Sequence, residues 1–157
     1  MDIFVDNNLI RDAVDAYSDT ILRIAFNYTQ NKADAEDIVQ EVFLTLLKQQ
    51  SFRSFEHLKA WLIRVAINKS RELYRSAKRK ETVALDAAYP VQYNFDSEDA
   101  GIMSQIRKLP EKDRNIVYLF YFEGYPAKEI AGITNMKEAA IFTRLKRIRA
   151  KLKDLIE

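Results

Sequence analysis

Cysteine is absent from this 157-residue chain, and histidine, tryptophan, glycine and proline are scarce, at one, one, three and three. Without cysteine there is no disulfide scaffold, no thiolate-held zinc and no thiol nucleophile. His57 alone leaves a histidine-based metal site or a Ser-His-Asp triad very hard to build. So few glycines do not make a phosphate-cradling loop, and so few prolines do not make a turn-rich β-sandwich. No apolar run approaches the roughly 20 residues that span a bilayer. The opening MDIFVDNNLIRD lacks the basic stretch and apolar core of a secretory leader. The expectation is a cytoplasmic chain with no membrane insertion and no implied cofactor or metal. What is present is 48% hydrophobic and 31% charged, a soluble globular composition suited to one domain or two small ones.

The formal net charge of +2 conceals a strong pattern. Residues 1–57 carry net −5, residues 58–80 net +7, residues 81–101 net −5 and residues 134–157 net +4. Two basic blocks separated by an acidic stretch resemble two footprints on one polyanion.

Apolar residues recur at spacings of three and four almost throughout, so helices are expected and no strand. The first helix spans about 8–29 with Ile10, Val14, Tyr17, Ile21, Ala25 and Tyr28 on one stripe. Asn31 is the expected N-cap of a second, about 32–48, which buries Ala35, Ile38, Val42 and Leu46. A polar loop with aromatics follows, and Ser54 caps a third helix over about 55–79, with Leu58, Leu62, Val65 and Leu73 inward. Residues 81–97 lose the period, contain Pro90 and read as a tether reaching about 60 Å when extended. Further helices are expected at about 98–108, 111–123, 126–133 and 137–156, with Pro110 and Pro126 in first turns and Gly124 as a stop. The fold class is therefore all-α: two small helical domains joined by a flexible acidic linker.

The C-terminal part carries a helix-turn-helix pattern. A short helix with Ile130 and Ala131 leads to the turn Thr134-Asn135-Met136, where Asn135 suits a left-handed backbone. In the last helix Ile141, Leu145, Ile148 and Leu152 face inward, leaving Thr143, Lys146, Arg147 and Arg149 outward and Lys137 near its start. A recognition helix needs this arrangement, with its first turns in a major groove and cations on the phosphates. On the third helix Trp61, Arg64, Asn68, Arg71 and Arg75 recur at spacings of three and four and share one face. An aromatic, an amide and three guanidiniums in line suit stacking, base-edge hydrogen bonds and phosphate pairing, while Trp61 by residue type equally suits a buried core anchor. The second helix has a separate outer face of Asp37, Gln40, Glu41 and Leu44, where an exposed leucine among acids marks a partner surface.

AEDIVQEVFLTLL (35–47), LKAWLIRVAINKSRELYRS (58–76) and LPEKDRNIVYLFYFEGYPAKEIAGITN (109–135), in that order, resemble the extracytoplasmic-function (ECF) group of bacterial RNA polymerase sigma factors. The resemblance implies a region-two domain over 1–80, a linker over 81–97 that threads the polymerase channel, and a region-four helix-turn-helix domain over 98–157. It implies that Asp37, Gln40, Glu41 and Leu44 bind the β′ clamp of core RNA polymerase, with the β flap as a further contact. Phe52, Phe55, Trp61, Arg64, Asn68, Arg71 and Arg75 would meet promoter DNA at the −10 element, where a flipped base is captured. Lys137, Ala140, Phe142, Thr143, Arg144, Lys146 and Arg147 would meet the −35 element. The family usually carries a small or hydroxyl residue where Lys137 and Ala140 stand, a polar residue at Phe142 and glycine at Asn135. Phe142 or Ala140 would instead reach thymine methyls. A lone tryptophan opening the third helix implies weaker strand opening and a narrower promoter set than the paired tryptophans of the housekeeping group. An anti-sigma protein is an expected partner, and the free chain is expected to be a monomer.

Two other readings compete. A stand-alone helix-turn-helix regulator would use only the C-terminal part and would dimerise to match half-sites. A sigma-like adaptor would bind polymerase without reading promoters. An enzyme is not expected, since no motif places a titratable pair as acid and base.

Overall fold

The computed structural model describes residues 1–80 and 100–156. The chain divides into two compact units, Met1–Val91 and Gln92–Glu157. The expected tether at 81–97 lies outside the described residues. The described elements are almost wholly helical, as the apolar spacing anticipates.

The first unit packs three helices on one another: α1 (Asn7–Thr29), α2 (Lys32–Leu46) and α3 (Phe55–Lys80). Their ends are set by local chemistry. The Leu9 N–H donates to Asp6 Oδ1 at 2.8 Å, satisfying one of the donors a helix start leaves open. Gln30 stops α1 in a left-handed conformation, φ 52° and ψ 30°, with its N–H on the Phe26 carbonyl. Asn31 caps α2 as expected, its Oδ1 accepting from the Asp34 N–H at 2.9 Å. Ser54 caps α3 by accepting from the His57 N–H at 3.2 Å.

The stripe expected for α1 is partly wrong. Leu9 and Ala13 are buried there, whereas Val14 is exposed and Ile10 and Tyr17 only half-buried. Leu9-Ile10 and Ala13-Val14 offer two adjacent stripes, and spacing alone does not choose between them. Farther along, Ile21, Ile24, Ala25 and Tyr28 are all buried. On α3 the buried set is Leu58, Leu62, Ile63, Ala66, Ile67 and Ser70, with Val65 and Leu73 at its half-buried margin. α2 buries the four residues expected of it.

The structure also holds a short antiparallel ladder where no strand was expected, β1 (Ile3–Phe4) against β2 (Ser51–Phe52). Ile3 pairs with Phe52 and Phe4 with Ser51, and the Val5 N–H donates to the Gln50 carbonyl at 2.9 Å. Two-residue strands carry no period to detect; they form because the backbone between α2 and α3 must find hydrogen-bond partners.

The second unit comprises α4 (Ala100–Arg107), α5 (Glu111–Val117), a π turn (Tyr118–Phe122), α6 (Ala127–Thr134) and α7 (Glu138–Ile156). The single helix expected at 111–123 is therefore two segments. Asn115, Ile116, Val117, Tyr118 and Leu119, where the two segments meet, are buried in succession. The widened turn is closed by the Glu123 N–H on the Tyr118 carbonyl at 3.2 Å. Gly124 ends it at φ 73°, as its position anticipated. Pro110 and Pro126 stand at N-caps, one place before the expected first turns, with their carbonyls already accepting helix N–H groups.

Between α6 and α7, Asn135 adopts φ 58° and ψ 42° with its N–H on the Ala131 carbonyl. A left-handed residue costs about 1–2 kcal/mol in general and less for asparagine. Asn135→Ala is therefore expected to lower stability by about 1 kcal/mol, read by urea unfolding, and Asn135→Gly to leave it nearly unchanged. Equal stability of the alanine variant and the native chain would contradict this account of the turn.

Candidate nucleic-acid interface

On α2, burial of Ala35, Ile38, Val42 and Leu46 turns Asp37, Gln40, Glu41 and Leu44 to solvent. All four are exposed, Leu44 to 59%. Leu47, one turn on at the end of the helix, is exposed as well and extends the apolar spot. Sequence reasoning passed over it because the adjacent Leu46 claims the inward position. Glu41 Oε2 lies 3.8 Å from Lys69 Nζ on α3, so the acidic face meets a cation on the flank of that helix.

On α3 the residues Trp61, Arg64, Asn68, Arg71 and Arg75 fall within about 80° of arc at 3.6 residues per turn. Arg64, Asn68 and Arg75 are exposed. Trp61 is half-buried and meets Phe52 of β2 edge-on, ring centroids 5.4 Å apart at 61°. The ladder thus fixes an aromatic pair at the head of the basic stripe, and Phe55, the first residue of α3, is 52% exposed. Arg71 differs from its neighbours: it is half-buried, and its Nε donates to Tyr28 Oη of α1 at 3.3 Å. The stripe therefore presents three exposed polar or cationic side chains and a fourth anchored in its own unit.

In the second unit, Ile141, Leu145 and Ile148 bury the inner side of α7. That leaves Lys137, Phe142, Thr143, Lys146, Arg147 and Arg149 exposed. Thr143 donates its hydroxyl hydrogen to the Ala139 carbonyl at 3.0 Å, and Ala140 is half-buried. Arg144 points elsewhere. Its Nη1 lies 2.8 Å from Asp113 Oδ1 of α5, an ion pair whose carboxylate side chain is 3% exposed. Arg149 Nε donates to Tyr121 Oη on the π turn at 3.3 Å, an exposed pair that spacing gave no reason to expect. In α4, burial lowers the pKa of the Arg107 guanidinium from its ordinary value.

Among the described residues, no group of histidines and carboxylates is arranged to hold a metal ion, and no helix is long and apolar enough to cross a membrane. What these surfaces offer is charge and aromatic area: an acidic face with an apolar centre, a basic stripe headed by aromatics, and a helix-turn-helix with an exposed cationic side.

Comparison with known proteins places these features in a family. Residues 13–80 match the family model for sigma-70 region 2, and residues 100–152 match sigma-70 region 4. The ECF RNA polymerase sigma factor SigW of Bacillus subtilis is 30% identical, with 96% of this chain and 92% of SigW covered. SigM of Mycobacterium tuberculosis, another ECF RNA polymerase sigma factor, is 28% identical over 85% of this chain and 70% of its own. Among solved structures, CnrH in complex with the cytosolic domain of CnrY matches at TM-score 0.66 and 25% identity, covering 96% of this chain and 89% of that one. The sigma factor RpoE of Bartonella quintana, in complex with the anti-sigma factor NepR, shares the fold at TM-score 0.69 and 23% identity, over 93% and 95% of the two chains.

Proposed function

The chain belongs to the ECF group of RNA polymerase sigma factors and directs transcription initiation, and from that premise we propose which of its surfaces carry each step. The exposed face Asp37, Gln40, Glu41 and Leu44 docks on the β′ clamp of core polymerase. Arg64, Asn68 and Arg75 line the −10 element, and the Phe52–Trp61 pair with Phe55 stacks against a flipped base. Flipping costs a few kcal/mol, and stacking on an aromatic returns about 1–3 kcal/mol per base. α7 enters the major groove of the −35 element, with Lys137, Lys146 and Arg147 on phosphates and Phe142 and Thr143 toward the bases.

One observation carries this reading: the acidic face and the basic stripe lie on adjacent, packed helices of one unit, with Glu41 paired to Lys69 on the flank of the stripe's helix. A single unit thereby offers polymerase and DNA two neighbouring surfaces. The stand-alone regulator has no use for the acidic face, and the relatives do not favour it. The protein works in the cytoplasm as a free monomer until it meets polymerase, and it performs no bond chemistry of its own. An anti-sigma protein that covers the same faces regulates it, a reading supported by the complexes of CnrH and RpoE with CnrY and NepR.

Run-off transcription from fragmented genomic DNA, with sigma-free core polymerase and with or without the chain, tests the whole. New transcripts that share two spaced upstream elements are the expected result. Stable binding to core without transcripts would instead leave the adaptor. On the promoters recovered, Arg147→Ala should weaken binding across sequences and reduce the log-salt slope by about 1. An unchanged slope would remove Arg147 from the phosphate contacts.

A further inference from the structure

The outward side of a recognition helix reads sequence through whichever groups remain available on its first turns. In α7 two of the polar candidates, Arg144 and Thr143, already have partners. Arg144 is bound to Asp113, the Thr143 hydroxyl hydrogen is on the Ala139 carbonyl, and Ala140 is half-buried. Phe142 is the large side chain left over, 57% exposed in the second turn and one turn before Lys146. Lys146 is exposed one turn on along the same side and Glu138 one turn before, while Lys137 and Arg147 are exposed farther around the helix. A single phenyl ring on the exposed side of a predominantly basic helix is well placed for a groove whose walls are phosphates. The apolar feature a major groove presents is the thymine 5-methyl group, and phenylalanine is among the side chains that contact it.

We infer that Phe142 is a specificity-determining residue that selects thymine in the upstream promoter element by contact with its 5-methyl group. This rests on the assignment of α7 to the −35 element. The reading is by shape and burial instead of hydrogen bonding, so it distinguishes thymine from uracil, which carries the same hydrogen-bonding edge without the methyl.

The test uses polymerase holoenzyme assembled with the full chain and the promoters recovered by run-off transcription. Thymidines of the upstream element are replaced singly by deoxyuridine, on either strand. At one or two positions the replacement should weaken native binding about fourfold, the worth of one buried methyl. Phe142→Ala should bind the thymidine promoter more weakly and show no further loss on deoxyuridine, while Phe142→Leu keeps part of the response. The side chain is exposed, so these variants should unfold as the native chain does. Indifference of the native holoenzyme to deoxyuridine at every position overturns the inference while leaving the sigma assignment intact. So does a deoxyuridine loss that persists in Phe142→Ala, since another group would then read the methyl. Absence of promoter-dependent transcripts overturns both.

Discussion

Replacing Arg144 with alanine is expected to destabilise the second unit by about 3 kcal/mol, although the residue sits on the helix proposed to bind DNA. Its guanidinium is 2.8 Å from the Asp113 carboxylate, whose side chain is 3% exposed, and its own is 24% exposed. Truncation leaves a buried negative charge with no counter-charge, and the desolvation cost of that carboxylate is no longer offset. Asp113→Ala should cost less, because the longer arginine can bend its head toward water. The two substitutions together should cost less than their separate effects combined, a coupling of about 1 kcal/mol or more. Trp61, the single tryptophan, lies in the first unit, so its fluorescence follows that unit during urea unfolding. Circular dichroism follows both. A Trp61 transition that stays in place while the rest of the helical signal melts earlier is the expected pattern. Native stability in Arg144→Ala, with loss of DNA binding alone, would reassign the residue to the promoter.

A charge at Leu44 should remove the protein from polymerase without unfolding it. Leu44 is 59% exposed at the centre of the α2 face, between Glu41 and Leu47 in the same helical register. An apolar anchor at the middle of an interface is where truncation costs 2 kcal/mol or more, roughly thirtyfold in affinity. Leu44→Glu is thus expected to weaken core binding at least about thirtyfold and abolish run-off transcription, with the Trp61 unfolding transition unmoved. Leu46→Ala, two residues along but fully buried, should do the reverse: retain the docking face and lose about 2–5 kcal/mol of stability. Core affinity of Leu44→Glu within twofold of native would show that polymerase docks elsewhere.

Much of the local structure around the proposed surfaces was legible in the residues themselves. Asn31 and Ser54 cap their helices, Gly124 ends one and Asn135 turns between two, each because side-chain reach or backbone freedom decides it locally. The outer face of α2 followed from the inner one, since four apolar residues at helical spacing leave only one side for Asp37, Gln40, Glu41 and Leu44. Less legible was α1, where Leu9 and Ile10 compete and the neighbours choose Leu9. The ladder of Ile3–Phe4 with Ser51–Phe52 joins residues nearly fifty positions apart, and a pair so distant leaves no local trace.

Local chemistry, then, settles the all-α class, the helix ends, the turn before α7 and the two basic blocks, because each depends on a few consecutive residues and a helical period. Tertiary packing alone settled what the long cationic side chains do. Arg144, Arg147 and Arg149 share one helix and one chemistry, yet the first is tied to a buried carboxylate, the second is exposed, and the third donates to Tyr121. A guanidinium several ångströms from its backbone meets partners that arrive from other helices, and neither spacing nor charge counts hold that information.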